Sequence, residues 1–285
     1  MKTETHPFTS TITHVASTLV LGGNGKTGRR IVERLEALDI PVRIGSRSAS
    51  PSFDWNAPEN WESVLQGIEA VYIAYFPDLA VPGATEHIRQ LVAKAERMSV
   101  KRIVLLSGRG EEEAQLCERI VQNSTVSSTI LRCGWFNQNF SESFLRDMVI
   151  DGTIALPANG VREPFVDADD IADVAVAALT EARHAGKLYE ITGPRLMTFA
   201  ETAAEIAEAS GRVVQFIEIS REDFREGLQA AELPAAMVNL IDYLFAEVLD
   251  GRNEYLGDGI QQALGREPRD FSEFVRSTAA QAAWV

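Results

Sequence analysis

The run Leu19-Val20-Leu21-Gly22-Gly23-Asn24-Gly25-Lys26-Thr27-Gly28-Arg29-Arg30 joins a short apolar stretch to a helix-compatible one through a glycine cluster. Gly23, Gly25 and Gly28 fit G-x-G-x-x-G; Gly22, Gly25 and Gly28 fit G-x-x-G-x-x-G. In either reading the first glycine makes the sharp turn out of a strand. The second lets backbone N–H groups reach a diphosphate, and the third lets helix and strand pack closely. A bound phosphate then rests on the unpaired amides and positive dipole end of the new helix. Gly22, Asn24, Gly25, Lys26, Thr27 and Gly28 are the candidate contacts. A P-loop of the NTPase kind is excluded, because it needs a glycine five residues before Gly25-Lys26 and Val20 stands there.

A second loop speaks to which dinucleotide. Ile40-Pro41-Val42-Arg43-Ile44 reads as the next strand and ends at Gly45-Ser46-Arg47-Ser48. A site for NAD wants an acid here to accept hydrogen bonds from the ribose 2′-OH. None is present. Ser46, Arg47 and Ser48 offer a guanidinium and two hydroxyls, which suit a 2′-phosphate, so NADP(H) is expected over NAD(H).

The elements that position these loops follow from hydrophobic period. Ile31, Val32, Leu35 and Leu38 recur at helical spacing after the glycines. Further strands are expected at 52–55, 70–74, 102–107 and 128–133, with helices at 60–67, 82–98 and 111–122. The near-continuous apolar run Ile103 to Leu106 suits a strand buried on both faces. The expected fold is α/β, a doubly wound parallel Rossmann sheet over 17–150. Residues 151–285 read as a smaller C-terminal α+β lobe over the cofactor crevice, with some segments returning to the sheet. That lobe carries a helix capped by Asp167, a capping box Thr198-Phe199-Ala200-Glu201 opening a helix that stops at Gly211, and helices begun by Ser220 and Pro234. Residues 1–16 read as a polar N-terminal extension without the pattern of a signal peptide.

Composition narrows the partners. The 285 residues carry a formal net charge of −14, which argues against nucleic acid and against an anionic membrane surface. No 18-residue apolar run occurs, and a cytoplasmic location is expected. Cys117 and Cys133 read as buried free thiols, and the four histidines show no metal-ligand spacing with them, so no metal is expected.

With these pieces in place the chain resembles the NmrA-like group of atypical short-chain dehydrogenase/reductases. The matching pieces are Gly22 to Gly28, the Arg47 loop, Ile103 to Ser107, Leu131 to Phe136, and Pro164-Phe165-Val166-Asp167-Ala168-Asp169-Asp170-Ile171-Ala172. Within the group it looks most similar to the branch of ergot-alkaloid clavine reductases and bacterial relatives. The resemblance implies Asp54 beside the adenine, Ala74 and Tyr75 along the ribose, and Ser107 near the nicotinamide. It implies that Gly134, Trp135 and Phe136 wall the nicotinamide and substrate. Phe76 and Phe165 are added as aromatic candidates for the same pocket, with core packing as the competing role for such residues.

One departure carries chemical weight. Ordinary short-chain dehydrogenases move the hydroxyl proton with a Tyr-x-x-x-Lys pair, but the helix after Ser107 has neither residue. Reduction of a plain carbonyl needs a proton for the developing alkoxide. The expected function is therefore hydride transfer to a small electrophile that needs little acid help: an iminium, an enone or a quinone-like ring. Tyr75, Arg109 and Glu113 are the fallback proton donors. The alternative is a non-catalytic NADP(H)-sensing regulator with a protein partner.

Overall fold

A computed structural model of the chain describes residues 17–158 and 160–284; the expected N-terminal extension lies outside them. The first half alternates strands β1 (Ser17–Leu21), β2 (Val42–Gly45), β3 (Ile68–Ile73), β4 (Arg102–Gly108) and β5 (Ser127–Cys133) with helices α1 (Lys26–Ala37), α2 (Trp61–Leu65), α3 (Ala84–Arg97) and α4 (Glu112–Gln122). The second half holds α5 (Asn139–Glu142), α6 (Phe144–Ile150), β6 (Thr153–Leu156), β7 (Arg162–Glu163), α7 (Ala168–Thr180), β8 (Lys187–Ile191), β9 (Met197–Thr198), α8 (Phe199–Ser210) and β10 (Gln215–Glu218). It ends with α9 (Arg221–Ala230), α10 (Ala235–Tyr243), α11 (Gly259–Leu264) and α12 (Phe271–Ala280).

The central sheet is parallel, in the order β2-β1-β3-β4-β5-β8. Side chains alternate between its faces. Leu19, Leu21, Val71, Ile73, Ile103 and Leu105 pack with α2, α3 and α4 on one side. Val20, Tyr72, Val104 and Leu131 pack with α1 and α7 on the other. Burial on both faces explains why these strands read as apolar runs. A third core fills the lobe around Phe140, Phe165, Phe199, Phe271 and Trp284. The Trp284 indole N–H donates to the Phe140 carbonyl at 2.7 Å, tying the last described turn to α5.

Two expectations change, and a third takes definite form. Residues 52–55 form no strand: Phe53 N–H bonds back to Ser46 O at 2.9 Å, and Phe53 and Trp55 turn onto Trp61 instead of joining a sheet edge. The helix expected from Pro82 begins at Ala84, because Gly83 before it takes a left-handed φ of 92°. Finally, β8 pairs with β5 and α7 packs on α1, so this stretch of the second half belongs to the sheet layer. Arg30 and Arg34 of α1 clamp Asp169 and Asp173 of α7, and Arg266 and Arg269 close on Asp170 and Asp173 from the loop between α11 and α12.

Candidate functional site

The glycine turn resolves the two readings of the motif. Gly22 has φ +74°, and the Gly25 N–H closes the turn onto Gly22 O at 2.8 Å. A left-handed residue at the turn is the reason for glycine at 22. A Cβ on Gly28 would lie 2.1 Å from Gly22 O, so the helix touches the turn backbone to backbone. Gly23 packs instead on Ile44 of β2. Gly25 caps α1 with no side-chain hydrogen bond, and the first turn holds no acid. The first amides of α1 are thus free for an anion, and the exposed Asn24 and Gly25 leave the approach clear. This cradle fits a dinucleotide phosphate. The Thr27 hydroxyl accepts from Tyr72 at 2.9 Å inside the core, so what Thr27 has to offer an anion is its backbone N–H.

Ser46, Arg47 and Ser48 follow β2 in an exposed turn, the two serine hydroxyls 3.3 Å apart. Asp54 is held beside that turn by the Phe53–Ser46 bond, its carboxylate accepting the Asn56 N–H at 2.9 Å. Ala74 abuts Gly22; a Cβ there would meet Ala74 at 3.1 Å. Tyr75 lies against Trp55, ring centroids 4.5 Å apart, and its hydroxyl pairs with His87 Nδ1 at 2.7 Å.

At the carboxyl ends of the strands a cavity of about 350 Å³ opens between the sheet and the α10 region, the place where open α/β sheets bind ligands. Lys26, Tyr75, Ser107, Gly134, Trp135 and Phe136 all border it. Burial lowers the pKa of Lys26, against the opposing pull of Glu142. Ser107 donates to Glu118 at 2.6 Å, and Glu118 in turn binds Arg132, which reaches Glu190. The far wall is Met237 and Leu240 of α10 followed by a π-helical turn, Leu244–Val248, whose Phe245 meets Trp135 edge to face at 5.1 Å. Single π turns favour functional sites because they redirect side chains within a helix. Cys133 lines the floor as a buried free thiol, its pKa pushed up by burial.

Four of the expected pocket and acid residues fall elsewhere or serve otherwise. Phe165 is 2% exposed and packed among Phe140, Phe199 and Phe271, in the core of the lobe. Phe76 is 70% exposed and does not border the cavity. Glu113 points from α4 toward α10, accepting the Tyr243 hydroxyl at 3.0 Å outside the cavity. Arg109 borders the cavity but is committed to Glu190 at 3.3 Å, to the Tyr255 carbonyl at 3.2 Å and to the face of the Tyr255 ring; a guanidinium also does not release a proton in proteins. Tyr75 is a weak acid here, since burial pushes its pKa up to about 12. Sequence reasoning missed Asp78 and Glu111, which do border the cavity. Burial, reinforced by Asp78, holds Glu111 well above the ordinary carboxylate range.

Comparison with known proteins matches this architecture. A profile described as NAD(P)H-binding aligns with residues 22–182, more than half of the chain. The chain belongs to that NAD(P)H-binding family, in keeping with the NmrA-like resemblance of its sequence. It is 29% identical to agroclavine dehydrogenase of Claviceps fusiformis, over 90% of this chain and 95% of that one. It is 26% identical to the NAD(P)H azoreductase of Xenophilus azovorans, over 92% and 98%. Its fold superposes on the NADPH-dependent quinone oxidoreductase of Escherichia coli, solved with NADPH, at a TM-score of 0.77 and 21% identity, covering 91% and 99%. No helix among the described residues is long and apolar enough to cross a membrane.

Proposed function

We propose that the chain is an NADP(H)-preferring reductase that passes hydride to a flat, electrophilic organic acceptor of the iminium, enone or quinone class. The observation that carries this reading is the shared boundary of one cavity: Lys26 from the glycine-loop helix, Ser107 and Gly134 from two strand ends, and the Trp135 and Phe136 rings opposite aliphatic α10. The bound cofactor supplies hydride from its reduced nicotinamide. The chain's residues do the rest. The free amides of α1 and the Lys26 ammonium hold phosphate, and Arg47 with Ser46 and Ser48 selects the 2′-phosphate. Trp135, Phe136 and Tyr75 present ring faces to a flat acceptor, and the aliphatic α10 wall excludes water. Relatives named as an azoreductase and an agroclavine dehydrogenase, and a quinone oxidoreductase that shares the fold, support reduction of a small organic acceptor.

The test is a titration of the purified chain with NADPH and NADH, followed by a panel of quinones, enones, cyclic imines and plain ketones with NADPH oxidation as the signal. Tighter NADPH binding and turnover of at least one conjugated acceptor are expected. Equal affinity for both nucleotides, or rapid turnover of plain ketones only, would overturn it.

A further inference from the structure

The wall beside Ser107 holds two carboxyl groups, Asp78 from the turn after β3 and Glu111 at the foot of α4, both bordering the cavity. Both side chains are withdrawn from water, and Asp78 beside Glu111 raises the cost of charging it. Two desolvated carboxyl groups side by side resist ionising together, so one of them holds a proton. Glu111 is 6% exposed, and no protein donor reaches its buried Oε2. Asp78 has the Ala80 N–H at 2.8 Å to support a charge. The proton therefore resides on Glu111.

The backbone has made room for this. Glu111 occupies the N-cap of α4, yet its side chain takes no hydrogen bond from the first-turn amides. It turns back across the end of β4 onto Gly108, where a Cβ would lie 1.9 Å from Glu111 Oε1. The groups facing it are mostly acidic: Asp78, Glu113 and Glu118 all favour its neutral form. Of the neighbours that could oppose this, Arg109 is bound to Glu190 and the Tyr255 carbonyl, and the Tyr243 hydroxyl is bound to Glu113. The dipole of α4 favours the anion, but by less than the burial of an unpaired carboxylate costs.

We propose that Glu111 is the general acid of this site, with Asp78 positioning its proton, and that the acceptors it serves are neutral enone- or quinone-type rings. The proposal rests on the reductase reading above. Hydride from a reduced nicotinamide adds to an acceptor carbon, and the electron pair of the π system moves onto the acceptor oxygen. The Glu111 O–H bond breaks as the acceptor O–H bond forms. Glu111 is left a carboxylate and recovers its proton from water. The nicotinamide loses two electrons and the acceptor gains two. A cationic acceptor, whose positive charge the hydride neutralises, needs no such proton. The missing Tyr-x-x-x-Lys pair is thereby replaced from the N-cap of the helix that lacks it.

Two acceptors separate the roles: a neutral benzoquinone and a cationic triarylmethyl dye. Glu111→Gln should lower kcat on the quinone by about 10²-fold or more, the usual scale of general acid catalysis. The loss on the dye should be at least tenfold smaller. Difference infrared spectra of the intact protein at pH 7 should show a protonated-carboxyl band that is absent in Glu111→Gln, with or without nucleotide. Quinone turnover should fall as pH rises through loss of that proton, and Asp78→Asn should move the fall to lower pH. Gly108→Ala, which displaces the Glu111 carboxyl without removing it, should copy the quinone defect. Equal losses on both acceptors, or a carboxyl band indifferent to Glu111→Gln, would overturn the proposal. NADPH titration of each variant keeps the two readings apart: absent binding in the native chain condemns the reductase reading, whereas native binding with no quinone defect condemns Glu111 alone.

Discussion

The glycine turn yields a quantitative contrast between Gly28→Ala and Gly25→Ala. A Cβ at 28 would stand 2.1 Å from Gly22 O and 2.7 Å from both Gly22 C and Gly23 Cα. All three are backbone atoms, so no rotamer can relieve the overlap, and α1 must back away from the turn by roughly 1 Å. Overpacking a rigid site costs about 1–3 kcal/mol, while alanine gains up to about 1 kcal/mol of helix propensity over glycine. The net is a loss of about 1–2 kcal/mol, or a Tm lower by roughly 2–8 °C. The same displacement spoils the Gly25–Gly22 bond at 2.8 Å and re-aims the free amides. Losing one charge-assisted contact to phosphate, worth about 1.5–3 kcal/mol, weakens NADPH binding about tenfold to a hundredfold. At 25 the corresponding distance is 3.1 Å to Gly22 O alone, so the fold should barely respond. The new methyl nevertheless stands at the exposed surface where the diphosphate must lie, and binding should fall as far. Thermal unfolding and NADPH fluorescence titration measure both quantities. Native affinity in Gly25→Ala would show that the phosphates rest elsewhere, and native Tm in Gly28→Ala would refute the contact argument itself.

Arg47→Asp should reverse the preference between NADPH and NADH, with a loss of about 1.5–3 kcal/mol for NADPH measured by calorimetry; an unchanged ratio would remove Arg47 from the site. Phe165→Ala should cost about 3–5 kcal/mol of stability as a buried aromatic of the lobe, whereas Trp135→Ala should lower kcat/KM with a smaller change in Tm, and the reverse ranking would exchange their roles. Glu163 is 1% exposed with both oxygens unpartnered, and burial pushes its pKa up to about 8. The folded state therefore keeps a proton that the unfolded state gives up, so stability present below about pH 4.5 is lost as pH rises toward about 8. Glu163→Gln should raise Tm at pH 8 and do little at pH 5; a benefit larger at pH 5 would contradict that sign.

Much of the fold is local in origin and so was legible in the sequence. Asp167 and Ser220 cap their helices as read, Thr198 and Glu201 form a reciprocal capping box, and Gly211 ends α8 with φ +66°. Each depends on contacts within a few residues. The non-local choices were not legible. Residues 52–55 alternate apolar and polar like a strand, but Phe53 and Trp55 find Trp61 a few residues on, and that packing wins over a marginal four-residue edge. The pairing of β8 with β5 joins residues more than fifty positions apart, and nothing in Lys187–Ile191 itself names its neighbour.

The site divides along the same line. Gly22, Gly25 and Gly28 declare themselves because a diphosphate cradle needs backbone without side chains at fixed spacing, and the chain supplies it within seven residues. The acid does not declare itself. Three consecutive glutamates, 111 to 113, are equivalent as letters, and helical position alone gave no ground for preferring Glu111 to Glu113. What separates them is geometry: Glu111 has extended backbone at φ −99°, ψ 112°, so its side chain leaves the helix line, and Gly108 leaves a space that the carboxyl fills. Its partner Asp78 comes from another crossover, brought alongside because β3 and β4 are parallel neighbours whose ends open on the same side. A retrospective signal does exist in Gly108-Arg109-Gly110-Glu111, where an acid takes an N-cap that favours shorter polar residues. An acid placed where it caps poorly, beside a glycine that admits it, is better explained by what it faces than by the helix it begins.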